Sequence, residues 1–285
     1  MITNRYHLPK AIVDAIKQTR DDYDNEGSFL SASSALKPVR IFWLERRHSH
    51  EVNIDVVDLI WSFLGSATHS IAESAGRKND KTIAEERFFT EILGEKISGQ
   101  IDNYDTETKT LSDFKITSVW SVIGEIKEEW IWQLNIQKYL MQLVGYEVNK
   151  LQIIAVLRDW QKGKTFDKSY PKHQVKLIKI PILHNEEVEQ FLTDRVSLLK
   201  SYQNVPDDQL PICTEKERWR KDTVYAVIKK GGKRAIKLFD NEIDASIYAN
   251  KNSAEVEVRC GEDTRCLGYC SVNQFCNYYK EKYDV

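Results

Sequence analysis

The stretch GQIDNYDTETKTLSDFK, residues 99–115, constrains the fold of this 285-residue chain more than any other. Leu111, Asp113 and Lys115 alternate with Ser112, Phe114 and Ile116, so strand geometry sets Asp113 and Lys115 on one face and Phe114 and Ile116 on the other. The polar turn Asp105-Thr106-Glu107-Thr108 folds residues 96–104 back as the first arm of a β-hairpin, which carries Asp102 toward Asp113. Two carboxylates and an ammonium then share a small patch. Neighbouring carboxylates resist being ionised together, and a divalent cation between them removes the conflict. Mg²⁺ prefers carboxylate oxygens, keeps several waters and completes its shell with substrate phosphate. These residue types at this spacing therefore suit metal-assisted phosphodiester hydrolysis, with Lys115 orienting water or offsetting charge on the phosphorane. The plainer reading is two polar residues on the wet face of an ordinary hairpin.

Further pieces flank that stretch. Gly65-Ser66-Ala67-Thr68-His69, followed by Glu73, lies upstream on an expected helix, and Trp132-Gln133-Leu134 lies downstream on another. In order, with Gly99-Gln100-Ile101-Asp102 and Ser112-Asp113-Phe114-Lys115, they resemble the PD-(D/E)XK nuclease superfamily, most closely its RecB-type and phage or CRISPR-associated exonuclease branch. The resemblance spans residues 31–184. It implies an α/β, restriction-endonuclease-like mixed central sheet flanked by helices, and a DNA exonuclease of phage or recombination and repair type. It also implies that His69, Asp102 and Asp113 hold Mg²⁺ or Mn²⁺, that Lys115 activates water, and that Gln133 contacts the lysine or DNA. That branch carries a tyrosine one helical turn after its glutamine. Here the position is Gln137, which shares the helix face and is expected to take over the polar contact with nucleic acid.

The length suggests two domains, drawn here as a nuclease-like domain over residues 1–204 and a cysteine-rich α+β module over 205–285. With 41% hydrophobic and 29% charged residues the composition is that of a soluble globular protein. No apolar run reaches the span of a membrane helix and the N-terminus lacks a signal-peptide pattern, so a cytoplasmic protein without membrane partners is expected. A net charge of -2 argues against non-specific coating of nucleic acid, which wants a basic surface, but leaves room for a local basic groove. Helices are expected over residues 6–24, 55–75, 128–146 and 185–202, and strands over 87–93, 151–157 and 174–183. Residues 151–157, LQIIAVL, read as a strand buried on both faces. Arg158, Lys162 and Lys164 follow it, where a phosphate contact is expected, whereas Arg40, Arg46, Arg47, His48 and His50 read as a solvated helix face rather than a DNA clamp.

Residues 205–211 have the composition of a linker, and all five cysteines lie beyond it. Without an export signal such a cluster points to a metal site rather than disulfides. Cys266, Cys270 and Cys276 supply three ligands, and a fourth comes from Cys213 or Cys260. The resemblance favours Cys213, because RecB-like exonucleases with an iron–sulfur cluster also combine one distant cysteine with a tight trio. Zn²⁺, a 4Fe-4S cluster and free thiols stay open. The Lys229, Lys230, Lys233 and Arg234 turn is a basic hairpin suited to nucleic-acid backbone, or equally a solvated one. Two rivals to the enzyme remain: a non-catalytic nucleic-acid-binding protein on the same scaffold, and a partner-binding module docking a recombination or annealing protein.

Overall fold

The strand Thr110–Thr117 runs parallel to Lys150–Leu157, with Asp113 beside Ile153 and Lys115 beside Ala155. Parallel neighbours need a crossover, and the helix Glu128–Leu143 provides it. This computed structural model describes residues 2–21, 26–76 and 80–283. They divide into two compact units, Met1–Lys37 with Asn53–Gln203, and Pro38–Val52 with Asn204–Val285. A boundary drawn only between residues 204 and 205 leaves Pro38–Val52 with the first unit, whereas its contacts are made with the second.

The first unit is mixed α/β. Its five-stranded sheet has the spatial order Val175–Ile180, Lys150–Leu157, Thr110–Thr117, Asn103–Asp105, Thr82–Ala84. All pairs but the central parallel one are antiparallel. A separate three-stranded sheet joins Leu30–Ser31, Glu95–Gln100 and Arg87–Ile92. The arm expected over residues 96–104 is therefore two strands. Glu95–Gln100 pairs with Arg87–Ile92, the chain breaks at Ile101 and Asp102, and Asn103–Asp105 pairs with Thr110–Thr117. Ile101 is fully buried at the break, so the change of sheet is anchored by an apolar side chain. Residues 150–157 alternate instead of burying both faces: Leu151, Ile153, Ala155 and Leu157 are buried while Gln152, Ile154 and Val156 are partly open. Gly99 lies beneath the crossover helix, where a Cβ would come within 2.9 Å of Leu140. Only glycine lets that strand and helix approach so closely.

In the second unit the helix Val39–Arg47 buries Val39 to Leu44. Of its basic residues Arg46 is exposed, but Arg40 and Arg47 are not part of a solvated face. Arg40 is buried and donates to the carbonyls of Leu210 and Pro211 and to Asn277, because a buried guanidinium must find acceptors for its N–H groups. Arg47 and His48 both reach Asp207, at 2.6 Å each. The expected linker over 205–211 is thus packed structure, a short 3₁₀ turn followed by the buried Leu210. Beyond it, three antiparallel strands in the order Ala235–Phe239, Val224–Lys229, Ala254–Arg259 carry the helix Glu242–Lys251 over a core of Val227, Ala245 and Ala249. Asp263, fully buried, gathers Lys282 at 2.7 Å, Arg218 at 3.2 Å and the Tyr278 hydroxyl at 2.8 Å. No helix among the described residues is long and apolar enough to cross a membrane.

Candidate metal centre

Three elements of the first unit deliver one cluster of polar side chains. The helix Ile60–Gly76 carries His69, the break between strands carries Asp102, and the turn before Arg87–Ile92 carries Glu85. His69 Nδ1 stands 3.4 Å from both Glu85 Oε1 and Asp102 Oδ1. Among the described residues these three form the one group of imidazole, thiol and carboxylate ligand atoms lying within 4.8 Å of one another. Asp102 is held by its second oxygen, which accepts from the Phe114 N–H at 2.6 Å. The strand break therefore turns the carboxylate back onto the neighbouring strand and leaves Oδ1 for the imidazole.

Asp113 and Lys115 share a strand face beside this group, as period-two geometry requires. Asp113 is 1% exposed; its Oδ1 accepts from Gln133 Nε2 at 2.7 Å, and Lys115 Nζ lies 2.6 Å from Oδ2. Burial pushes its carboxyl up to about 6 against the pull of Lys115. The His69 imidazole is pushed up to about 10 by hydrogen bonding to Asp102 and then Glu85. The two shifts have different leading causes, burial for Asp113 and the neighbouring carboxylates for His69, whose imidazolium proton supplies the positive charge that they demand. Two carboxylates and an imidazole at this spacing could hold one divalent metal ion.

His69, Glu85, Asp102, Asp113, Lys115 and Gln133 all line one open cleft of about 1110 Å³. Glu85 is the residue that reading the sequence missed. It carries no spacing signature and stands only as half of the Glu85-Glu86 pair before a strand. Its backbone lies in the left-handed region, with φ of 55°, a conformation costing a non-glycine residue roughly 1–2 kcal/mol. Gln100 donates to Glu85 Oε2 at 2.8 Å and accepts from Arg87 at 2.5 Å, so the carboxylate is braced from behind. The side chain of Glu73, expected beside His69, lies outside the described residues.

The remaining expected residues lie outside the group of three ligands. Gln137 is 2% exposed and donates to the Gln100 carbonyl at 2.6 Å, bracing the strand that leads to Asp102. Among the described residues its Oε1 accepts no hydrogen bond, and the side chain lines the same cleft. Arg158 lies outside the cluster and stacks on Trp61, 4.3 Å from the ring centroid. Lys162 and Lys164 are exposed on a 3₁₀ turn, and Lys229, Lys230, Lys233 and Arg234 surround the exposed turn between two strands of the second unit.

In that second unit Cys213, Cys266, Cys270 and Cys276 line one small cavity, and Cys260 is exposed and does not line it. Burial pushes the Cys213 thiol up to about 12 and the Cys266 thiol up to about 11, and raises Cys270 as well. No three of these sulfurs fall within 4.8 Å of one another. Four thiolates on a single Zn²⁺ stand about 3.8 Å apart, given tetrahedral Zn–S bonds of about 2.3 Å.

No family model and no curated protein matches the chain. Among solved structures it is similar to SSO0001, at 17% identity and a TM-score of 0.47, over 68% of this chain and 86% of that one. It is also similar to a Eubacterium rectale protein provisionally named an exonuclease, at 12% identity and a TM-score of 0.31, over 70% of each chain.

Proposed function

We propose that this chain is a divalent-metal-dependent deoxyribonuclease of the PD-(D/E)XK type, hydrolysing phosphodiester bonds in the cleft of its first unit. One observation carries the reading: His69, Glu85 and Asp102 converge within 4.8 Å in the cleft that Asp113, Lys115 and Gln133 also line. A mixed sheet with a parallel pair at Asp113 and a crossover helix bearing Gln133 agrees with a restriction-endonuclease-like core. His69, Glu85, Asp102 and Asp113 would hold Mg²⁺ or Mn²⁺. When bound, the cation would polarise a phosphodiester oxygen and ease deprotonation of water.

The chain's own residues do the rest. Gln133 fixes the rotamer of Asp113, and the Phe114 N–H fixes that of Asp102. Lys115 orients the attacking water and offsets negative charge gathering on the phosphate. Preference for free ends, hence exonuclease rather than endonuclease, follows from the family resemblance. In the second unit Cys213, Cys266, Cys270 and Cys276, which line one cavity, would hold an iron–sulfur cluster, the group that the family resemblance gives to one distant cysteine combined with a trio.

The test is incubation of purified full-length protein with end-labelled linear and closed circular DNA, with and without Mg²⁺. Linear DNA is degraded only with the metal, circular DNA survives, and Lys115→Ala lowers the rate by roughly 10²-fold or more. Cleavage that Asp113→Ala and Lys115→Ala leave unchanged overturns the reading.

A further inference from the structure

We propose that Trp61, braced by Arg158, is a stacking platform for one unpaired nucleobase, so that the cleft takes its substrate strand single-stranded at this point. The inference rests on the nuclease reading and extends it to the substrate's form. Trp61 lies in the first turn of the helix that carries His69, and positions 61, 65 and 69 recur every four residues, on one side of that helix. At 1.5 Å per residue the two side chains are about 12 Å apart along the axis, a span of a few nucleotides.

The floor between them is bare. Trp61, Ser62, Gly65, Ser66, His69 and Ser70 all line the cleft, and a Cβ built on Gly65 meets nothing within 4 Å. Small side chains along this track leave room for a strand and offer hydroxyls to its phosphates and sugars. At its far end stands an indole that is 52% exposed. Leaving so large an apolar ring half in water forfeits burial that the fold could otherwise gain.

Arg158 gives that ring a fixed attitude. Its guanidinium sits 4.3 Å from the ring centroid, a cation–π contact that holds the indole while keeping a permanent positive charge beside it for phosphate. Every base has a π-face, so an aromatic platform binds bases without regard to sequence. Bases inside a duplex already have both faces covered by their neighbours. Away from a duplex end, only a splayed or single strand presents a free face to Trp61.

The test is fluorescence anisotropy of a labelled thymidine oligonucleotide titrated with the full-length protein in Ca²⁺. Trp61→Ala weakens binding roughly 10-fold or more and Trp61→Phe by less than about threefold, within the range known for base–aromatic stacking. A single abasic residue walked along the strand weakens wild-type binding at one position and has no effect there in Trp61→Ala. Equal affinities of wild type and Trp61→Ala, an abasic profile that Trp61→Ala leaves unchanged, no binding by wild type, or the same loss on a blunt duplex each overturn the platform. Cleavage in Mg²⁺ by wild type against Asp113→Asn reports separately on the nuclease reading. A wild type that binds but does not cut sinks that reading, and the Trp61 comparison still decides this one.

Discussion

Gln133 Nε2 donates to Asp113 Oδ1 across 2.7 Å, tying the crossover helix to the strand that precedes it. The bond leaves Asp113 Oδ2 to Lys115, so the helix decides which way a buried carboxylate faces. Supporting groups of this kind, when removed, typically cost 10- to 100-fold in metal affinity or activity. Gln133→Ala is therefore expected to slow Mg²⁺-dependent cleavage by roughly that factor while the chain stays folded, checked by single-turnover kinetics beside circular dichroism.

Glu85 stands as close to the His69 imidazole as Asp102 does, at 3.4 Å. Glu85→Gln keeps the shape and removes the charge. Mn²⁺ binding, followed by electron paramagnetic resonance without substrate, is expected to weaken at least about 10-fold. An unchanged Mn²⁺ affinity would remove Glu85 from the centre.

The cysteine cavity separates two otherwise similar substitutions. Cys270→Ser removes a cavity-lining sulfur, whereas Cys260 is exposed and does not line the cavity. Anaerobically purified wild type and Cys260→Ser are expected to carry iron and absorb in the visible, and Cys270→Ser to lose most of both. Zinc in place of iron by elemental analysis would reassign the site.

Asp263 is a buried anion that holds Lys282, Arg218 and Tyr278. Burial by itself raises its carboxyl, but hydrogen bonds from Lys282, Tyr278 and Arg218 outweigh it and hold the group below the ordinary carboxylate range. Removing one partner of a buried charge cluster typically costs about 3–5 kcal/mol, and Asp263→Asn is expected to do so. Hydrogen exchange in the paired strands Arg220–Lys221 and Glu262–Asp263 reads the loss locally, and it should accelerate.

His48 lies between Asp207, at 2.6 Å, and Glu51, at 2.7 Å, and stacks on Phe275 with centroids 4.0 Å apart. The Asp207 hydrogen bond leads in raising its pKa above 6.5. A raised folded-state value means stability that is complete below the unfolded value of 6.5 and fades as pH rises through the folded one. Burial raises Asp207, yet bonds from His48 and Arg47 hold it below 3.8, so its share fades only as pH falls beneath that value. Thermal melts of wild type and His48→Gln from pH 5 to 9 are expected to differ most at the acid end and to converge at the alkaline end.

Much of the first unit was legible because short-range rules govern it. Alternation alone sets Asp113 and Lys115 on one strand face, and helical periodicity alone places Gln133 and Gln137 on one helix edge. What the chain's order could not convey is which distant groups meet. Glu85 joins His69 and Asp102 because a left-handed residue before one strand and a sheet change at Asp102 aim both carboxylates at the same imidazole. The pattern of arginines at 40, 46 and 47 reads as a wet helix face, yet buried carbonyls and Asp207 claim Arg40 and Arg47. Local propensity sees neighbours a few residues apart, whereas desolvation and charge pairing act between residues brought together only by folding. The sequence by itself determined the strands, helices and chemical types available for a metal centre; the tertiary structure decided its membership.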